Sequence, residues 1–168
     1  RLLDTRIGNF SLHQLKPLAQ LTRLEWRGAG FNDYSPQYVR DLPLAEFTCA
    51  CPGLGDSGLK ALGRQTGLKR LALPQSRITG AGLEALEKLA GLQEIEIRRR
   101  DVGPEGLLAL ARLPELKSLV LGLPQGTALT DPAMTHLGEL AALQRLVLDI
   151  PALDDRVAGE LAALTGLR

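Results

Sequence analysis

Aromatic residues, histidine, cysteine and net charge are all scarce in this sequence, and each scarcity closes off a class of function. Twenty basic residues (20 Lys and Arg) against 19 acidic ones leave a formal charge of +1. No global field therefore draws the chain to nucleic acid or to an anionic membrane. No apolar run approaches the roughly 20 residues of a membrane span, and no charged-then-apolar leader opens the chain, so membrane insertion is not expected and the compartment is left open. The two histidines, His13 and His136, stand more than 100 residues apart with no ligand-spaced Cys, Asp or Glu beside them. No metal site is expected. The glycines form neither a phosphate loop nor a dinucleotide fingerprint, so no cofactor is expected either. Cys49 and Cys51 lie two apart, too close on an extended chain to form a relaxed disulfide with each other. Cys51, at a strand end, is the one plausible nucleophile, but nothing supplies it with a base. With no acid, base and nucleophile to assemble, an enzyme is not expected.

What is abundant is leucine at a fixed beat. The stretch Leu68–Gly91 opens with Leu68, Leu71 and Leu73, the last two alternating with polar neighbours as in a half-buried strand, and closes with Leu83, Leu86 and Leu89 at helical spacing. One unit is one strand plus one helix. The first apolar residues of successive strands, Leu21, Leu44, Leu68, Leu92, Leu116, Leu143 and Leu167, are separated by 23, 24, 24, 24, 27 and 24 residues. A period of that kind marks a repeat architecture. The unit from Leu21 is one residue short, with Ser35-Pro36 predicted as helix cap and first-turn proline. In the next unit Gln65 stands where the third helix leucine is expected. Gly122–Ala128 carries a three-residue insertion. Both ends fall inside repeats, which predicts a single repeat domain over 1–168, of about six to seven units, cut from a longer array. Neither the strand nor the helix of one unit can bury its apolar side alone, so neighbours must stack into one continuous core.

The pattern Leu-x-x-Leu-x-Leu, then Ile, Leu or Val, then Gly-Leu-x-x-Leu-x-x-Leu resembles the leucine-rich repeat, and most nearly a bacterial 24-residue type. That resemblance implies an α/β fold: a right-handed solenoid arc with a parallel sheet on the concave face and short helices on the convex face, used mainly to bind proteins. One departure stands out. Many members place asparagine two residues before the apolar residue that follows the strand, where it bonds neighbouring loop backbone. Here the positions hold Thr5, Ala29, Pro52, Ser76, Arg100, Thr127 and Pro151, so the loop backbone must find other partners.

On such a sheet the residues flanking the inward pair point out and stack in columns about 4.8 Å apart from strand to strand. The first column reads Arg23, Glu46, Arg70, Glu94, Ser118, Arg145. Its first four members alternate in sign and suit lateral ion pairs. The second reads Glu25, Thr48, Ala72, Glu96, Val120, Val147, and the third Arg27, Ala50, Pro74, Arg98, Gly122, Asp149. The near strands are charged, whereas Val120, Leu123, Val147 and Ile150 make the far end apolar, as a partner site often is. Arg98, Arg99 and Arg100, helped by Arg77, form the one basic cluster and suit a phosphate or an acidic partner. Glu94, Glu96 and Asp101 flank it without stacking aromatics, so nucleic acid is not expected. Trp26, Phe31 and Phe47 occupy inward positions, while Tyr34 and Tyr38 fall in the loop and helix opposite the sheet, where an amphipathic ring suits an interface. The expected function is a non-catalytic module that binds a protein partner through its concave face. The alternative is a targeting or structural arm of a larger enzyme or effector whose catalytic domain lies outside this chain.

Overall fold

Why a strand and a helix of this size stack into an arc follows from their widths: strands pair about 4.8 Å apart, whereas packed helices need 8–10 Å. The helix side must spread and the sheet side must close up. The computed structural model of the chain describes residues 9–98, 102–122, 136–149, 161–162 and 164–168. Six strands, β1 (Arg23–Arg27), β2 (Glu46–Ala50), β3 (Arg70–Ala72), β4 (Glu94–Ile97), β5 (Ser118–Gly122) and β6 (Arg145–Asp149), form one parallel sheet in chain order. The helical side is thin. It comprises α1 (Asn9–Leu12), α2 (Pro36–Val39), α3 (Asp56–Leu62), α4 (Gly80–Leu83) and α5 (Pro104–Ala111), with 3-10 turns at His13–Leu15 and Glu84–Lys88. The helices are short because the leucine beat leaves few residues between strands, and the narrower 3-10 form eases their crowding.

The register is the one the columns require. Arg23, Glu46, Arg70, Glu94, Ser118 and Arg145 are partners in succession, as are Glu25, Thr48, Ala72, Glu96, Val120 and Val147. Just ahead of the strands a second ladder runs from repeat to repeat, the N–H groups of Ala45, Lys69, Gln93, Lys117 and Gln144 each donating over 2.8 Å to the carbonyl one unit back. The N–H of Arg168 donates to Gln144 O in the same way at 2.9 Å. The inward strand residues and the helix leucines meet in one continuous core, in which Phe47, Leu71, Leu83, Leu86, Leu110 and Leu119 are fully buried. Trp26 and Phe31 (ring centroids 5.8 Å apart) and Phe31 and Phe47 (5.4 Å) pack the short, irregular second unit against the third. That unit turns out of β1 through Gly28, whose φ of 120° is a conformation for which glycine is suited.

The loops show what replaces an asparagine ladder. Asp33 reaches forward one unit, its Oδ1 accepting from Gly55 N (2.6 Å) and Gly58 N (3.1 Å) at the start of α3. Asp56 does the same for α4, accepting from Thr79 N (2.8 Å) and the Thr79 hydroxyl (2.7 Å). Each of these helices is thus capped by the preceding repeat, and neither Gly55 nor Thr79 supplies a side-chain cap of its own. Ser76, at one of the asparagine positions, is buried and donates to Leu73 O at 2.9 Å. Ser35 is a correction to the sequence expectation. It makes no side-chain cap bond to α2; its hydroxyl instead accepts from Asn32 N (2.8 Å) and donates to Asn9 Oδ1. The anomalous Gln65 is explained: it is buried, and its amide donates to Val39 O at the end of α2 over 2.6 Å. A cap that joins two repeats should act on their interface as well as on the helix. Asp33→Ala should lower the unfolding free energy by about 1–2 kcal/mol, read as an earlier urea midpoint, whereas the exposed Asp41→Ala should change it by less than about 0.5 kcal/mol.

Cys49 and Cys51 overturn a second expectation. They are disulfide-bonded, with Cα atoms 5.2 Å apart, inside the ordinary 4.4–6.8 Å range. An i, i+2 pair points to the same face, and β2 ends at Ala50. The chain therefore bends at Cys51 and brings its Cα closer than an extended strand would. Both cysteines are fully buried, so Cys51 does not project as a nucleophile.

Candidate functional site

The concave face is built from the outward residues of β1 to β6. Along the first column Arg23 pairs with Glu46 (3.3 Å) and Arg70 with Glu94 (3.2 Å), each pair joining adjacent strands. Along the strands, Arg27 reaches back to Glu25 (3.1 Å) and Arg98 to Glu96. The two pairs across strands are the lateral pairs expected of that alternation, and each exposed pair contributes roughly 0–1 kcal/mol. Their larger effect is on the surface itself: on the first four strands the charges satisfy one another. At β6 the pattern stops. Arg145 sits in register with Ser118, is exposed, and has no ion-pair partner among the described residues.

Beneath these charges lie two short side chains, Ala72 and Val120, on either side of Glu96 in the same column. Ala72 retains 4% of its exposure and Val120 5%. Arg70, Glu94, Glu96, Ser118 and Arg145 wall a shallow depression over them. The expected exposed patch at Val120 is therefore corrected: Val120 points to the concave face yet is buried. Strands pair about 4.8 Å apart, so the long side chains around it, Glu96 in register on β4 and Arg145 on β6, crowd over the shorter valine. Val147, its partner on β6, remains half-buried. The apolar end is a recessed strip with a charged margin.

The remaining candidates do not all converge on this strip. Glu96 is half-buried at its edge, and Arg98 is exposed and held by Glu96. Leu123, Ile150, Arg99 and Arg100 lie outside the described residues. Tyr34, 73% exposed, sits in the turn before α2, and Tyr38, half-buried, lies in α2 against the core. Both tyrosines belong to the helical side, away from β5 and β6. Two features were passed over in the sequence although it contained their signal. Arg145 is the column member left over once the alternating charges pair, and Ala72 is the alanine in a column of larger residues. Among the described residues no helix is long and apolar enough to cross a membrane.

One parallel sheet in chain order, short helices behind it and a leucine core repeated with the strands make up the leucine-rich-repeat solenoid fold. The chain is similar in fold to an internalin from Listeria monocytogenes, with a TM-score of 0.68 and 18% identity over 95% of its own residues. It spans about half (52%) of the length of that internalin structure. Internalin C2 from the same organism is similar over 96% of this chain and 82% of its own, with a TM-score of 0.53 and 19% identity. No protein-family model and no curated protein matches the sequence.

Proposed function

We propose that this chain is a non-catalytic protein-interaction module that engages a protein partner through the recessed strip on its concave face. The observation that supports it is the change along the face: the ion pairs of β1 to β4 give way at β5 and β6 to the neighbouring Val120 and Val147, beside an exposed Arg145 that has no ion-pair partner among the described residues. Paired charges are already satisfied and add little to binding. An exposed guanidinium beside the half-buried Val147 offers both a charge-assisted hydrogen bond and apolar area to a partner that carries a carboxylate next to an aliphatic side chain.

The test uses substitutions at exposed positions, because Val120 is buried and replacing it would disturb the fold. Arg145→Glu should weaken a captured partner by about 10–100-fold, the range of a lost charge-assisted bond, measured by titration after thermal melting shows the variant folded. Lys88→Glu, exposed on the opposite side, should leave affinity unchanged. A partner released by the Lys88 variant and held by the Arg145 variant would place the contact on the helices.

A further inference from the structure

The disulfide between Cys49 and Cys51 closes a loop of three residues. A cross-link constrains the unfolded chain through the loop it closes, and a loop this short restricts it least. Its influence must therefore be sought in the folded state, in what the bond ties together. Cys49 lies in β2, in register with Trp26 of β1. Cys51 is the first residue past that strand and opens the turn into α3. This turn is where three repeats meet. Leu54 N bonds Cys51 O (3.2 Å), Gly53 bridges to Asn32 one unit back, Gly55 bridges to Arg77 one unit on, and Leu54 O accepts from Arg77 N at 2.7 Å. The Asp33 caps land on Gly55 and Gly58 just beyond.

The surroundings are shut off from solvent. Both cysteines are fully buried, as are Trp26, Phe31 and Phe47, and Cys51 Sγ lies 3.8 Å from Trp26 O. Two thiols need more space than one disulfide: two hydrogens are added, and the sulfurs move from bonded to van der Waals separation. Cores respond to added volume by shifting backbone or side chains. Cys49 is pinned by strand pairing on β2, so the displacement falls on Cys51 and its turn.

We propose that Cys49 and Cys51 form a reversible thiol–disulfide site whose oxidised state holds the turn Cys51–Gly55 in place and whose reduced state releases it. The co-reactant is a small disulfide or thiol such as glutathione. In oxidation, one cysteine thiolate attacks the small disulfide and expels one thiol, and the second cysteine then displaces the other. The protein loses two electrons and two protons, and one disulfide becomes two thiols. Because both sulfurs are buried, exchange proceeds through local opening of the turn, which exposes Cys51 first. The site is independent of the concave strip.

The experiment uses wild-type protein purified in air. Denatured without reductant, it should take up no iodoacetamide, and after dithiothreitol it should take up two adducts by intact mass. Native protein equilibrated in graded glutathione buffers and quenched in acid should pass reversibly from fully oxidised to fully reduced. In the reduced form the amides of Gly53, Leu54, Gly55 and Gly58 should exchange at least about tenfold faster, as a locally opened segment does, while those of β4 and α5 keep their rates. Fluorescence of Trp26, the single tryptophan, should change with the same midpoint. A Cys49→Ala/Cys51→Ala variant should be insensitive to the buffer. Two adducts without reductant, a native disulfide that glutathione does not exchange, or unchanged amide rates after reduction would each overturn the proposal. All three are read on the wild type, so they hold even where the double variant does not fold.

Discussion

Replacing Phe47 by alanine should remove about 3–5 kcal/mol of unfolding free energy, the range for a fully buried phenylalanine. Phe47 is completely buried on β2 and tilted against Phe31, centroid to centroid 5.4 Å, which itself lies 5.8 Å from Trp26. Truncation leaves a cavity that the sheet cannot close, because β2 is paired in register on both sides. It also breaks an aromatic contact of about 0.5–1.5 kcal/mol. Natural domains have only about 5–15 kcal/mol in all, so this one change should take a large share. Urea unfolding followed by Trp26 fluorescence is the direct measurement. Thr48→Ala, one residue along and facing outward, should cost less than about 0.5 kcal/mol. A solenoid divides its stability among neighbouring units, so the loss should centre on the second and third repeats, with amide protection in β5 reduced least.

Gly106→Ala tests two principles that predict opposite signs. In a helix interior, alanine is favoured over glycine by about 0.8–1.0 kcal/mol, and Gly106 lies within α5. Yet a Cβ there would stand 2.6 Å from Val102 Cγ1, 3.0 Å from Leu83 Cδ1 and 2.9 Å from the Cα of Gly80, which belongs to α4. Side chains can rotate away, but the backbone of a packed neighbouring helix cannot. Overpacking of this kind costs about 1–3 kcal/mol, so the variant should be less stable despite its better helix propensity. The same position in the two preceding units holds Gly58 and Gly82, crowded respectively by Asp33 and Asp56 of the repeat before. The glycine column is what lets the helices, and the aspartates that cap them, approach so closely. A higher urea midpoint for Gly106→Ala would show that α5 can move off α4.

The period, the strand and helix of each unit and the columns of outward residues were all legible in the sequence, because they follow from local spacing. Leu71 and Leu73 announce a strand wherever they stand, and Leu83, Leu86 and Leu89 a helix. Repetition then leaves one way to bury both. Trp26, Phe31 and Phe47 were assigned inward by the same spacing, and they are buried.

What spacing does not contain is the distance between units, and that alone decided the rest. Asp33 and Asp56 look like ordinary loop acids until the next repeat is seen to set its amides against them. Ser35 has the composition of a cap, but three-dimensional neighbours, Asn9 and Asn32, claim its hydroxyl. Val120 is outward by parity and buried by crowding. Cys49 and Cys51 are unfavourably spaced on an ideal strand and bonded on a real one, because β2 ends between them. Parity and period are properties of a chain, whereas burial, capping and bonding depend on the separation of atoms from different repeats. The sequence by itself determined a leucine-rich solenoid with a charged near face and an apolar far one. Only the tertiary structure decided that Val120 is recessed, that Arg145 beside it has no ion-pair partner among the described residues, and that a disulfide lies at the turn where three repeats meet.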